Sequence, residues 1–390
     1  MRRLLALTTS LMLLELMFFT VLSPLLPGLK HDLGLSTSQA GVLVAMYAVG
    51  CAVGAIPALL IVVRLGVRMT ALVALATFAT MSLLFGLAHG YDELLAARLV
   101  QGFAGAACWT AAMLWLLETA PLDRRGELLG TAFGVSEAGA IAGPAAGGVA
   151  AAVGRGPTFG AIAAICVGLA FVTTRFLAPA PPTDKRLGLG AALSAPNVRK
   201  VMWITLLPAI MLAAISVLAP LQQHRLGARS GEIAATFAAA AVLGIAIQPL
   251  YGRWTDRRGP LRPLRFGLLA CAPILVAIPW MHTDFGTAAL VVAALILVDV
   301  LWAPVMVMLS NATAAVGLGQ LVVVAVMDLT WPPGNIVGSA GGGALADLVG
   351  EKATFAVMAS LLLAGCVALS GRRAPTTEPA VVDGLSLPGT

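Results

Sequence analysis

Twelve apolar stretches, each about as long as a bilayer is thick, constrain this chain more than any other feature. They lie near 5–27, 38–63, 68–88, 92–119, 127–153, 157–177, 200–220, 233–252, 263–281, 286–310, 317–346 and 353–371. A helix needs about 20 mostly apolar residues to cross a ~30 Å hydrocarbon core. Inside that core each backbone N–H and C=O must find its partner within the segment, which selects helix over open strand. The expectation is an all-α polytopic membrane protein with twelve transmembrane helices. Composition agrees, with 59% hydrophobic and only 11% charged residues in 390, whereas soluble chains carry about 25% charged residues. A soluble enzyme, a nucleic-acid-binding module and a disordered chain are therefore poor fits. The start, Met1-Arg2-Arg3 before an apolar run, superficially resembles a signal peptide. The run is too long, and no small-x-small cleavage site follows, so it reads as a retained first span.

The basic residues sort by side. With both termini cytoplasmic, eighteen Arg and Lys residues fall in cytoplasmic segments, from Arg2 and Arg3 to Arg372 and Arg373. Five fall outside: Lys30, Arg155, Arg225, Arg229 and Lys352. Arg98 is left over within the fourth span. Cytoplasmic loops attract positive charge in just this way, and one missed span would scramble the alternation. The net charge of +6 thus needs no nucleic-acid partner. The expected location is the inner (cytoplasmic) membrane, in contact with lipid, with the chain working as a monomer.

The longest polar connection, 178–199, divides an N-terminal six-span half (1–177) from a C-terminal half (200–373). The tail, 374–390, is rich in Pro, Thr and Gly and is expected to be disordered. The halves repeat. Arg64 and Gly66 find Arg257 and Gly259 193 residues on, and Gly143, Gly147 and Gly148 find Gly338, Gly342 and Gly343 195 residues on. Two such halves with a site at their interface are a known transporter plan. Cys51, Cys108, Cys166, Cys271 and Cys366 sit in apolar runs without metal spacing and read as small buried hydrophobes. His31, His89, His224 and His282 fall in outer loops. No metal site, cofactor, P-loop or enzyme signature is expected.

Four carboxylates lie deep in spans: Glu15, Glu137, Asp299 and Asp328. Each is about 9 to 14 residues from a helix end, near the bilayer midplane at ~1.5 Å per residue. An ionised Asp there costs about 2.5–3.5 kcal/mol on insertion scales, so the four should face a central cavity. Burial disfavours the charged form of a carboxylate. Such a group is either neutral with a proton bound or charged beside a cation, and mutual exclusion of the two is the simplest basis for proton antiport. Glu15 is expected to face substrate and Asp328 to carry the proton, with Asp299 in either role. A structural role, setting helix register, is the alternative for each, most of all for Glu137, which points about 160° away from Gly139. Tyr47, Trp109, Trp302 and Trp331 lie within spans and suit an organic cation. Trp115, Trp203, Trp254 and Trp280 read as an interfacial belt. Arg98 is either a snorkelling anchor or a coupling residue. Pro332 and Pro333, directly after Trp331, suggest a hinge beside Asp328.

With these features the chain resembles the major facilitator superfamily over nearly its whole length. That family carries roughly G-x-x-x-D-R-x-G-R-R after its second span. The copy after the eighth span fits, with Gly252, Asp256, Arg257 and Gly259. The first copy keeps Arg64, Gly66 and Arg68 but has Leu59 and Val63 where Gly and Asp belong. Arg98, Gln101 and Gly102 resemble the family's R-x-x-Q-G, which implies coupling of Arg98 to proton release. Gly130, Gly139, Gly143-Pro144, Gly147 and Gly148 are similar to the motif of its antiporters. Glycines at i, i+4 and i+8 let helices approach closely, and the Gly-Pro step allows a bend.

Single acids in spans one, ten and eleven make the chain similar to the vesicular monoamine transporters and bacterial multidrug:proton antiporters. It departs in having Glu rather than Asp in span one, no lysine in span two, and Glu137. The resemblance implies the major facilitator fold and proton-coupled efflux of amphipathic cationic small molecules by alternating access. A proton-coupled importer and a non-transporting sensor are the alternatives.

Overall fold

The computed structural model describes residues 2–119, 132, 134–177, 189–318 and 320–370. Gly130, the segment 178–188 of the connection, the tail 374–390 and the side chain of Asp256 lie outside the described residues. Among the described residues the chain is helical without strands, and ten helices are long and apolar enough to cross a membrane. The fifth and eleventh spans complete the expected twelve in broken form. The fifth contains Ala138–Val153, and the eleventh runs as Gln320–Ile336, a π-helical turn Val337–Gly341 and Gly342–Val349.

The two-fold repeat is written in the backbone. Glycines in the left-handed region end helices at Gly34 and Gly227, Gly66 and Gly259, and Gly154 and Gly350. Each pair occupies matching places in the two halves. Only glycine adopts positive φ without steric cost, so these turns fix where the chain reverses. Span two begins at Thr37 with a capping box between Ser36 and Gln39, and span eight begins at Ser230 with Glu232 bonded back to Arg229 N–H at 2.6 Å. Arg68 donates to the Phe176 carbonyl at the end of span six, and Arg265 donates to the Leu369 carbonyl at the end of span twelve. A cation at a helix C-terminus meets orphan carbonyls and the negative end of the dipole. The seventh span starts at Pro196, four residues before the expected 200, and a short helix, Leu189–Ser194, precedes it within the connection.

Glycine sets the tightest helix pairs. Gly139, Gly143 and Gly147 pack span five onto Leu13–Pro24 of span one, and Thr20 Oγ1 donates to the Gly139 carbonyl at 3.4 Å. Gly334 and Gly338 pack span eleven onto span seven at Leu206–Ile210, and Gly342 lies against Ala214. The halves touch at the ends away from the basic loops. There Gly41 meets Ser339, Gly343 meets Thr37 and Gly148 meets Ala234. Asp347 accepts from the Thr37 and Ser38 backbone N–H groups at 3.2 and 2.5 Å.

Candidate functional site

The four interior acids form two pairs, each joining the halves. Glu15, on the helix Arg2–Thr20, and Asp328, on Gln320–Ile336, interact electrostatically across the interface. Tyr47 lies fully buried beside them and donates its hydroxyl to Glu15 Oε1 at 3.0 Å. Gly105 of span four makes room for this bond, since a methyl group there would stand 3.4 Å from Glu15 Oε1 and overlap the Tyr47 hydroxyl. Arg98 lies over the Tyr47 ring at 4.6 Å. Its Nη1 donates to the Phe18 carbonyl at 2.8 Å and to Gln101 Oε1 at 3.2 Å, while Nε and Nη2 have no hydrogen-bond partner among the described residues. With 1% exposure Arg98 is buried, which overturns the snorkelling reading. The carbonyl and the aromatic face hold it in place.

Asp328 stands at a programmed weakness in its helix. Pro332 has no N–H for the Asp328 carbonyl four residues back, and the π-helical turn follows. Among the described residues no side chain hydrogen-bonds to the Asp328 carboxylate. Trp331, one turn on, meets Phe19 of span one edge-on at 4.9 Å between centroids, and Phe19 carries no signal in the sequence that singles it out.

The second pair is Glu137 and Asp299, which also interact across the halves. Both stand at helix breaks. Glu137 directly precedes Ala138–Val153, and its carbonyl accepts from Ala140 N–H in a tight turn at 2.9 Å. Asp299 ends the helix Asp284–Asp299, and Trp302–Ala314 resumes after it. Pro304 removes the donor that would have continued the ladder across Val300. Gln248 of span eight donates to Asp299 Oδ2 at 2.9 Å. The glycine stripe faces span one while Glu137 faces span ten, as their angular separation requires.

The remaining expected residues distribute as follows. Trp109, one turn beyond Gly105, packs half-buried against the N-terminal core, and Trp302 lies half-buried one turn beyond Asp299. Gly102 backs directly onto the Tyr47 carbonyl. Arg64 and Arg257 are exposed beside Gly66 and Gly259. Gly252 has open space around it, and Pro144 is buried in its helix. Trp203 and Trp280 are exposed, with Lys352 over the Trp280 ring at 3.9 Å, but Trp115 is completely buried. It belongs to the core and not to an interfacial belt, because its side of span four faces neighbouring helices.

The sequence profile of the Major Facilitator Superfamily matches residues 8–319. The chain belongs to that superfamily. Multidrug resistance protein 2 of Bacillus subtilis (strain 168) is 26% identical over 341 residues, covering 83% of this chain and 84% of that protein. The inner membrane transport protein YdhP of Escherichia coli (strain K12) is 27% identical over 371 residues, covering 90% and 92%. A chloramphenicol resistance protein of Streptomyces lividans is 27% identical over 276 residues, 67% of each. Among solved structures, a bacterial homologue of the human lysosomal transporter Spinster, inward-facing and occupied, matches with TM-score 0.73 and 17% identity. It covers 94% of this chain and 95% of that one. That likeness speaks for the fold. As a major facilitator the chain is an integral membrane transporter, and the interface holding both acid pairs is its candidate transport site.

Proposed function

We propose that this protein exports amphipathic, cationic small molecules in exchange for protons. The observation that carries the reading is the Glu15–Asp328 pair. Two interior carboxylates from opposite halves interact electrostatically, and the buried cation Arg98 is engaged by a carbonyl and the Tyr47 ring instead. Two adjacent anions in a medium of low polarity are costly unless a proton or a cation joins them. Proton and substrate therefore compete for the same charge. Asp328 is the proton carrier and Glu15 the substrate-facing anion, while Glu137 and Asp299 repeat the arrangement on the other side of the interface. Phe19, Tyr47 and Trp331 supply apolar and aromatic surface for an organic cation.

Export is favoured over import because relatives spanning most of the chain are named as multidrug resistance proteins. The proton is the coupling ion, one chain suffices, and the basic loops face the cytoplasm of the inner membrane. The test uses purified protein in liposomes with an acidic lumen and a lumenal pH dye. Lipophilic cations, neutral drugs and organic anions are added in turn. Cations should collapse the gradient and anions should not. A gradient that responds to no compound, or to anions alone, contradicts the proposal.

A further inference from the structure

Asp299 stands at the short break between the helices Asp284–Asp299 and Trp302–Ala314. Among the described residues no backbone N–H donates to its side chain. Its charged counterpart across the interface, Glu137, is another carboxylate. Among the described residues, its hydrogen-bond support comes from span eight. Gln248 Nε2 donates to Asp299 Oδ2 at 2.9 Å. One turn earlier, on the same face, Gly244 leaves a seat for that oxygen, since a methyl group there would stand 3.1 Å from Oδ2. That distance is tighter than ordinary contact, so a methyl group at 244 would push the carboxylate off its seat by a few tenths of an ångström. Neither residue belongs to a motif of the sequence, and Gln248 is half-buried.

We propose that Gln248, with Gly244 beneath the same oxygen, is the positioning residue that seats the Asp299 carboxylate on span eight, opposite Glu137, and favours its ionised form. A hydrogen bond to a charged acceptor is about twice as strong as a neutral one. The amide therefore makes the proton-free state of Asp299 reachable. The role in exchange rests on the antiport reading, but the positioning itself does not.

The experiment is carbodiimide labelling of the purified full chain, because that reagent attacks buried carboxyls in their protonated form. Peptide mass spectrometry follows the rates at Asp299 and, in the same digest, at Glu15. Gln248→Met keeps length and loses the donor. Labelling at Asp299 should rise about tenfold, the scale of one charge-assisted hydrogen bond, with Glu15 unchanged. Gly244→Ala, which keeps the donor but disturbs the seat, should raise it less. An unchanged Asp299 rate in Gln248→Met overturns the proposal. Equal rises at Asp299 and Glu15 also overturn it, because they report general loosening. Normal cation-driven proton flux alongside either result leaves the antiport reading standing. Absent flux in the unsubstituted protein removes that reading without touching the labelling outcome.

Discussion

Tyr47 donates its hydroxyl to the Glu15 carboxylate at 3.0 Å, so the aromatic ring that carries Arg98 is also the hydrogen-bond donor to the interior acid. Arg98 is held near the negative charge through the ring rather than by a direct ion pair. On the proposed reading, a cationic substrate at Glu15 would meet a neutral donor that can be displaced at modest cost.

Tyr47→Phe keeps the ring under Arg98 and removes only the hydroxyl. A buried hydrogen bond of this kind contributes about 1 kcal/mol, more when the acceptor is charged. The fold should survive with a small loss in thermal stability. Cation-driven proton flux in proteoliposomes should fall roughly tenfold. Flux at the original rate would show that the hydroxyl plays no part at Glu15.

Gly102→Ala tests the packing under the same group. The added methyl would overlap the Tyr47 carbonyl, and overpacking of this sort costs about 1–3 kcal/mol. Gly28→Ala is the control, because nothing lies within 4 Å of the position a methyl would take there. Thermal unfolding in detergent should show a drop of several degrees for Gly102→Ala and none for Gly28→Ala.

Asp347 closes the interface at the end away from the basic loops by capping the helix of span two through Thr37 and Ser38. Together with the Ser36–Gln39 capping box, it satisfies the first four N–H groups of that helix. On the proposed reading, this contact must break when the halves part there. Asp347→Ala should raise maleimide labelling of a cysteine introduced at Ser339, which abuts Gly41, about tenfold.

Much of this architecture was legible before any coordinates. Twelve apolar runs and the sided charges specify twelve spans because the bilayer dictates length and orientation. Glu15, Asp299 and Asp328 stood out because a carboxylate at mid-depth has no innocent solvent. Their pairing was hidden, since Glu15 and Asp328 meet only through the packing of two halves. Gln248 was hidden for a different reason: one amide in a span is ordinary until its partner is known. Trp115 was misjudged from its distance to a helix end, and the same measure left Arg98 open between an anchor and a coupling role. Depth along a helix says nothing of which face a residue occupies, and both faces here are covered by neighbouring spans. Asp347 escaped notice because a terminal acid on a helix looks merely solvated.

The most direct test of the central claim separates proton movement from substrate movement in one variant. Asp328→Asn removes the charge that takes the proton on the proposed reading but leaves Glu15 to hold a cation. In proteoliposomes without a proton gradient, the variant should still exchange labelled for unlabelled lipophilic cation. With a gradient imposed, it should neither accumulate cation nor release protons when cation is added. Proton flux at the rate of the unsubstituted protein would contradict the account, because Asp328 would then not be the carrier.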